Sequence, residues 1–542
     1  MLAEVFRPQS DLLFQSLEDL FEKIDIVCAP NLYKKFISQK YNIYLHNKTL
    51  IGNALDEEDL NEKYLEPLTK DHGELDDEDG EDGEDGEDDG EKTALHLAAK
   101  RGHLDVVQLL AEQTSVPLFN VLMARRDNEY TKKTSLLTAA EYGHLEIVKF
   151  FKERGADINI RCELGNTALM LAAANGHFLT VEFLVEKGAD VKSTNNDGYT
   201  VLHRAVHGGN LSVTEYLVKN GANIKSADNY GKTVLHSAAN KGNLTVTEYL
   251  VKNGADIKST DNYGNTVMHS AALGGNLSVT ECLVKNGADI KSTDNYGNTV
   301  MHSAVRGGNL SVIEYLVKNG ADIKSTNNDG DTVLHSAVQG DNLSVIEYLV
   351  KNGADIKSTN YYSETVLHRA VCWSNLSVTE YLVKNGADIK STDNNGDTVL
   401  HIAVVGQKIS VTEYLVKNGA DINTTNNNGE TVLHKASWHG YLRIVKHLLQ
   451  LGANPDKLNY QFRTPLTTAS QRRYWNVMRA LLDWGADVNA DGGLALRWAI
   501  EGGEWSIVKS LVDKQASVKE SVIRNNLSEF KNKFPNYEFR AE

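Results

Sequence analysis

Apolar residues recur along most of the chain in two short helical patterns that repeat every 33 residues. In residues 261–293 the first pattern covers about residues 266–273 and the second covers residues 277–284. The eleven residues DNYGNTVMHSA, which begin at Asp261, return unchanged at Asp294. A fixed period of this kind predicts a stack of near-identical helix pairs.

Polar and glycine residues mark the ends of both predicted helices. Thr266 is placed to cap the first helix, because its hydroxyl can accept a hydrogen bond from a backbone N–H that has no helical partner. Gly275 ends that helix, Asn276 caps the second, and Gly287 suits the left-handed residue after it. A hairpin turn then leads into the next copy. One such unit cannot bury its apolar side, whereas stacked units can.

The core motif of the unit, T-x-L-H-x-A, resembles the ankyrin-repeat pattern DxxGxTPLHxAxxxGH followed by LxVVxxLLxxGADVN. Its thirteen copies begin at Thr93, Thr134, Thr167, Thr200, Thr233, Thr266, Thr299, Thr332, Thr365, Thr398, Thr431, Thr464 and Leu494. The resemblance implies an all-α fold, an ankyrin-type helical solenoid with a helix-turn-helix and a hairpin turn in each 33-residue unit. One departure is that the family proline is kept only at Pro465; most copies have valine there.

Four regions follow from these patterns. Residues 1–70 predict a small helical N-terminal segment, and residues 71–91 an acidic, disordered linker, because DDEDGEDGEDGEDDGE combines like charges with glycine. Residues 92–518 form the predicted ankyrin-repeat solenoid. Residues 519–542 predict a short C-terminal helix and tail.

Composition narrows the classes of function. The net charge of −17 and the lack of a long basic run argue against nucleic-acid binding. Four widely spaced cysteines argue against a disulfide framework, and no stretch has the roughly 18 apolar residues of a membrane helix. We therefore expect a cytoplasmic protein, with the nucleus left open, that is monomeric and does not insert into a membrane.

A histidine recurs at the same position of the central copies. A metal array is one interpretation, but no second ligand lies three or four residues away on the same helix. The family resemblance implies instead a repeated hydrogen bond from the imidazole to neighbouring backbone. The chain also lacks the P-loop, GxSxG and HExxH motifs, so we expect no cofactor, no metal site and no enzymatic activity. The histidines are His203, His236, His269, His302, His335, His368, His401 and His434.

Recognition is expected where the copies differ, at the hairpin tips and the adjoining end of the first helix. Tyrosines occupy three successive tips, and an unusual aromatic group surrounds the copy at Thr365. The residue before each core motif also drifts from basic to acidic, from Lys232 to Asp331, Glu364, Asp397 and Glu430. The predicted partner-binding residues are Tyr230, Tyr263, Tyr296, Tyr361, Tyr362, Arg369, Trp373, Trp438 and His439.

The copies from Thr332 to Thr398 are predicted to be the least stable part of the stack. Asp341, Ser363, Ser374 and Gln407 stand where most other copies have glycine. A residue with a side chain costs about 1 kcal/mol in the left-handed conformation that these turns require.

The pattern favours a non-catalytic scaffold that binds one or more proteins through the concave face and hairpin tips. Two alternatives stay open. One is an adaptor that recruits substrates to an enzyme complex, such as a ubiquitin ligase, through residues 1–70. The other is an effector directed at a host.

Overall fold

The computed structural model describes residues 94–113, 133–340, 342–373 and 376–539. Within these residues the chain forms 27 α-helices and no strands, which confirms the all-α helical solenoid. The chain divides into two compact units at the bond between Asn262 and Tyr263. Predictions for residues 1–70 and for the acidic linker lie outside the described residues.

The first unit contains five helix pairs. Consecutive first helices pack side by side, and each also packs against the second helix of its own pair. The pairs are α1 Ala94–Arg101 with α2 Leu104–Gln113, α3 Ser135–Glu141 with α4 Leu145–Glu153, α5 Ala168–Ala174 with α6 Phe178–Glu186, α7 Val201–His207 with α8 Leu211–Lys219, and α9 Val234–Lys241 with α10 Leu244–Lys252.

The second unit contains eight helix pairs, which pack in the same way within the unit. They are α11 Val267–Gly274 with α12 Leu277–Lys285, α13 Val300–Gly307 with α14 Leu310–Lys318, α15 Val333–Ala337 with α16 Leu343–Lys351, α17 Val366–Cys372 with α18 Leu376–Lys384, α19 Val399–Val405 with α20 Ile409–Lys417, α21 Val432–His439 with α22 Leu442–Gln450, α23 Pro465–Gln471 with α24 Trp475–Asp483, and α25 Leu494–Glu501 with α26 Trp505–Asp513. Helix α15 is short, since its last turn is the 3-10 segment Val338–Gly340.

The predicted caps form as expected in the pair at Thr266. Thr266 Oγ1 accepts a hydrogen bond from the His269 N–H at 3.4 Å, and Asn276 Oδ1 accepts one from the Val279 N–H at 3.1 Å. Gly275 and Gly287 have φ of 67° and 87°, so both adopt the left-handed conformation. The capping and stop residues therefore set the helix ends, as the sequence predicted.

The core lies between neighbouring pairs. Val267, Ala271, Val279 and Leu283 have no exposed surface. Burying a side chain the size of Leu283 contributes about 2 kcal/mol relative to leaving it in water. Because each pair covers the next, this burial exists only in the stack.

Backbone hydrogen bonds join successive hairpin tips. The Asn295 N–H donates to the Tyr263 carbonyl at 2.9 Å, and the Asn328 N–H donates to the Tyr296 carbonyl at 2.9 Å. Isolated antiparallel bridges, such as Thr293 with Thr299, close the base of each hairpin. The tips therefore form a continuous edge of each unit.

The C-terminal segment covers the last helix pair. The 3-10 helix Glu520–Asn526 packs against α25 and leads into α27, Leu527–Lys533. Phe530 is fully buried, and the Tyr537 hydroxyl donates to the Ala516 carbonyl at 2.8 Å. This segment closes the apolar end that the final repeat leaves open.

Candidate protein-binding surface

The repeated histidines hold the hairpin turns in place. His302 Nε2 lies 3.2 Å from the Asp331 carbonyl oxygen of the next repeat, and Nδ1 lies 3.1 Å from the Thr299 backbone nitrogen. A carbonyl only accepts, so Nε2 carries the proton and Nδ1 accepts from the Thr299 N–H. These are the bonds to neighbouring backbone that the resemblance implied. Equivalent Nε2 bonds of 2.9–3.3 Å occur at His203, His269, His335, His368, His401 and His434.

Burial keeps these imidazoles neutral. It lowers the pKa of His302 below its ordinary value, and the same cause lowers the pKa of His335 and His368. With both ring nitrogens engaged, the histidines have no lone pair left for a ligand. The part of the chain that the structure describes contains no group of three or more histidine, cysteine, aspartate or glutamate side chains placed to hold a metal ion.

The three predicted tip tyrosines are exposed. Tyr230 is 47 % exposed and belongs to the first unit, whereas Tyr263 and Tyr296 are 45 % and 58 % exposed and belong to the second. The backbone of these tips is fixed, since the Asp294 carboxylate accepts from the Tyr296 N–H at 2.9 Å. Each unit therefore presents aromatic rings on rigid turns.

Tyr361 and Tyr362 occupy the tip of the repeat at Thr365 and are 74 % and 53 % exposed. Tyr361 replaces the asparagine found at the neighbouring tips, and its ring lies over Gly330, where an added Cβ would come within 2.9 Å of the ring. Ser363 has φ of 60°, which confirms that a non-glycine residue takes the left-handed position of this turn. Asp341 and Ser374, the other predicted examples, lie outside the described residues, whereas Gln407 has φ of 58°.

Arg369 is held by two carboxylates. Its guanidinium forms ion pairs with Asp331 at 3.1 Å and Glu364 at 2.9 Å. Asn360 Nδ2 also donates to Asp331 Oδ1 and Glu364 Oε2, at 2.8 Å and 2.9 Å. Arg369 thus links two repeats and orders their acidic side chains.

The same arrangement recurs two repeats further on. Lys435 Nζ lies 3.3 Å from Asp397 and 3.7 Å from Glu430. Asp331, Glu364, Asp397 and Glu430, hereafter the acidic row, precede the cap threonine in four consecutive repeats. Their side chains are 11–27 % exposed. Among the described residues two cations, Arg369 and Lys435, form ion pairs with these four carboxylates, so the acidic row keeps a net negative charge there.

The remaining predicted residues fall into two groups. Trp373 ends α17 and is 52 % exposed. Trp438 instead lies under the Arg472 guanidinium, 4.5 Å from the ring centre, and His439 stacks on Tyr441 at 5.2 Å. Trp438 and His439 therefore contact their own neighbours, while Tyr361, Tyr362 and Trp373 leave much of their rings open.

One exposed aromatic tip was missing from the sequence prediction. Tyr460 and Phe462, in the repeat at Thr464, are 71 % and 73 % exposed, and Phe462 has φ of 57°. Tyr460 lies over Gly429 as Tyr361 lies over Gly330. The signal was available, because Tyr460 and Phe462 stand where most copies have asparagine and glycine.

Comparison with known families agrees with this architecture. A model described as "Ankyrin repeats (3 copies)" matches residues 72–162, 115–195, 169–261, 253–327, 319–393 and 367–459, and one described as "Ankyrin repeat" matches residues 462–493. No curated protein matches the chain. None of the helices in the described residues has the length and hydropathy that a membrane span requires.

Proposed function

Because the chain belongs to the ankyrin-repeat family, whose repeats generally mediate contacts between proteins, we propose that it is a non-catalytic scaffold. It binds protein ligands through the concave face and the hairpin tips of its second unit. The observation that carries the proposal is the exposure of Tyr361, Tyr362 and Trp373 on one repeat.

Exposed aromatic rings on rigid turns suit a binding surface. Tyrosine and tryptophan supply a large contact area with few rotatable bonds, and they are enriched among the residues that dominate binding energy. The turns are ordered before binding, since the Tyr361 N–H donates to the Asp329 carbonyl and the Asn394 N–H to the Tyr362 carbonyl, both at 2.9 Å. Little conformational entropy is then lost when a ligand arrives.

The buried histidines support a scaffold over an enzyme. A general base needs a free nitrogen within reach of a substrate. His368 Nδ1 accepts from the Thr365 N–H at 3.1 Å, and Nε2 donates to the Asp397 carbonyl at 3.3 Å. Their hydrogen bonds assign these side chains to the framework of the stack.

Affinity capture with the full chain tests this function. The Trp373→Ala chain is expected to recover the partner at least tenfold less well than the unchanged chain, as for a residue that dominates an interface. Tyr263→Ala measures how far along the tips the ligand extends. Trp484→Ala is the matched control, because Trp484 is 48 % exposed but ends a second helix, α24.

An equal loss of the captured partner with Trp373→Ala and Trp484→Ala would contradict the proposed surface.

The adaptor alternative assigns recruitment of substrates to residues 1–70. A partner lost when only those residues are deleted, and retained by Trp373→Ala, would favour the adaptor.

A further inference from the structure

Asparagine side chains reinforce most of the hairpin tips in the second unit. Asn328 Nδ2 donates to the Asn295 carbonyl at 3.2 Å, and Asn394 and Asn427 make the equivalent bonds to Tyr361 and Asn394 at 3.0 Å. We call these residues the ladder asparagines. Each one ties its tip to the tip of the preceding repeat.

Two tips replace the ladder asparagine with tyrosine. Tyr361 and Tyr460 keep the backbone bond to the preceding tip, at 2.9 Å and 3.0 Å, but have no amide to donate. With Phe462, they are the most exposed large hydrophobic side chains in the described residues. Asparagine at the neighbouring tips shows that the fold does not require an aromatic ring at this position.

The same two tips also lack the glycine that the turn favours. Ser363 and Phe462 have φ of 60° and 57°, whereas Gly396 and Gly429, in the two intervening repeats, have φ of 74° and 72°. A side chain in this conformation is disfavoured, and burial within the fold does not compensate Phe462, which is 73 % exposed. Backbone strain that does not contribute to packing of the fold indicates a role in binding.

The surface between these tips has more carboxylates than cations, because Arg369 and Lys435 pair with three carboxylates and leave a net negative charge among these side chains. Glu364, Asp397 and Glu430 occupy the position before the cap threonine in three consecutive repeats. Arg463 takes this position in the fourth repeat, and its guanidinium donates to Gln471. The two aromatic tips therefore lie at the ends of a stretch whose charged side chains, including Arg369 and Lys435, sum to a net negative charge before Arg463.

We infer that the Tyr361–Tyr362 tip and the Tyr460–Phe462 tip bind the two ends of one extended polypeptide segment whose middle is basic. This inference rests on the proposed function and names its ligand. An apolar or aromatic residue of the segment packs on each tip, and lysine or arginine side chains between them face the acidic row. A carboxylate at the second end pairs with Arg463, which sets the direction of the segment.

The stacking of helices fixes the length of the segment. Tyr361 and Tyr460 are 99 residues apart in the sequence, which corresponds to three 33-residue repeats. Packed helices lie about 8–10 Å apart, so three repeats extend roughly 24–30 Å. An extended chain covers about 3.3 Å per residue, which places the two anchor residues of the ligand about 7 to 9 residues apart.

The charge of the acidic row favours a polypeptide over a polyanion. Nucleic acid or an anionic lipid surface would bring phosphates against Glu364, Asp397 and Glu430, and the whole chain carries a net charge of −17. A basic peptide is instead attracted to these carboxylates. Binding of this kind weakens as salt screens the charges.

A displayed library of random 14-residue peptides, selected on the full chain, tests the inference. We expect selected peptides to carry two aromatic or large aliphatic residues about 7 to 9 positions apart with lysine or arginine between them. Their affinity should fall at least tenfold in Tyr460→Asn/Phe462→Gly and in Tyr361→Asn/Ser363→Gly. Both variants introduce residues that neighbouring tips already use, so they keep the stack folded, and Trp484→Ala is the control.

Several outcomes would overturn the inference. They are selected peptides that are acidic, peptides that depend on one tip only, no enrichment at all, or direct binding of single-stranded RNA or phosphatidylserine vesicles to the chain in the absence of peptide. The proposed function is tested separately. A captured protein that is lost with Trp373→Ala but retained by both tip variants would support the scaffold function and contradict the basic peptide as its ligand.

Discussion

The repeats at Thr266 and Thr299 differ from those at Thr365 and Thr464 in the residues that form their turns. All four begin with a threonine cap and have a fully buried pair of apolar residues at the start of the first helix. The first two have glycine in both turns, with φ between 67° and 80°. The other two have Ser363, Phe462 and Arg473 at such positions, each with φ near 60°.

This difference separates two roles within one repeated sequence. The caps, the buried aliphatic residues and, in most repeats, the histidine make a shared framework. The turns are free to vary as long as the backbone conformation is kept, so exposed aromatic rings collect there.

The largest effect is expected in the framework. His302→Ala removes the donor to the Asp331 carbonyl and the acceptor for the Thr299 N–H. A buried donor or acceptor without a partner costs about 1–3 kcal/mol, so the free energy of unfolding should fall by about 3 kcal/mol. Amide hydrogen exchange of α13 and α15 measures the loss. Lys318→Ala, on the exposed end of α14, is the control, and an equal change in both variants would contradict this role.

Acid should weaken the whole framework. Burial lowers the pKa of His203, His302, His335, His368, His401 and His434 in the folded chain. Protonation therefore favours the unfolded chain, whose histidines have a pKa of about 6.5. The stability that these histidines contribute is complete above that pH and declines as the pH falls below it. Thermal unfolding from pH 8 to pH 5 should show this decline, and a constant melting temperature would contradict it.

Restoring glycine in a turn should stabilise the chain modestly. Phe462→Gly removes the strain of a left-handed residue, which is worth about 1 kcal/mol. Ser363→Gly removes the same strain but also the hydrogen bond from Ser363 Oγ to Asn394 Oδ1 at 2.6 Å, so its gain should be smaller. The reverse change, Gly396→Ser, should destabilise by more than this, because an added Cβ would also lie 2.7 Å from the Asn427 backbone nitrogen. Urea unfolding of the four chains gives the comparison, and destabilisation by Phe462→Gly would show that its turn is not strained.

Amide hydrogen exchange should also show that the repeats differ in local stability. The amides of the repeats from Thr332 to Thr398 are expected to exchange faster than those of the repeat at Thr266. The strained Ser363 and Gln407 and the short helix α15 all lie in this stretch. Equal protection in the two stretches would contradict the prediction.

The smallest effect is expected on the outer helices. Lys417 pairs with Glu413 at 2.8 Å, but both side chains are exposed, so water and salt screen the pair. Lys417→Ala should leave the melting temperature within experimental error. A clear decrease would mean that these surface pairs belong to the framework.

The sequence predicted the framework because its causes are local. A threonine, a histidine three residues later and a glycine at the end of a helix determine the caps and stops within one copy. Ser363 was identified for the same reason, since its neighbours show glycine at that position. Tyr361 was identified as a binding residue because it stood out among otherwise similar tips.

Contacts between repeats were harder to predict. The ion pairs of Arg369 depend on Asp331, 38 residues away, and the contact between Arg472 and Trp438 depends on how two first helices pack. The Tyr460–Phe462 tip was missed, although its replaced asparagine and glycine were visible in the alignment of the copies. The burial of Phe530 could not be predicted from the sequence, because it depends on how the C-terminal segment packs against the last helix pair.

A direct test of this division of roles is one chain that carries Tyr361→Asn, Ser363→Gly, Tyr460→Asn and Phe462→Gly together. Its urea unfolding and its affinity for a peptide selected on the unchanged chain are measured side by side. We predict equal or greater stability and a loss of affinity of at least 100-fold, as for two anchors of tenfold each. Unchanged affinity, or a chain that unfolds at lower urea, would contradict the claim that these turns serve binding and that the framework alone holds the stack.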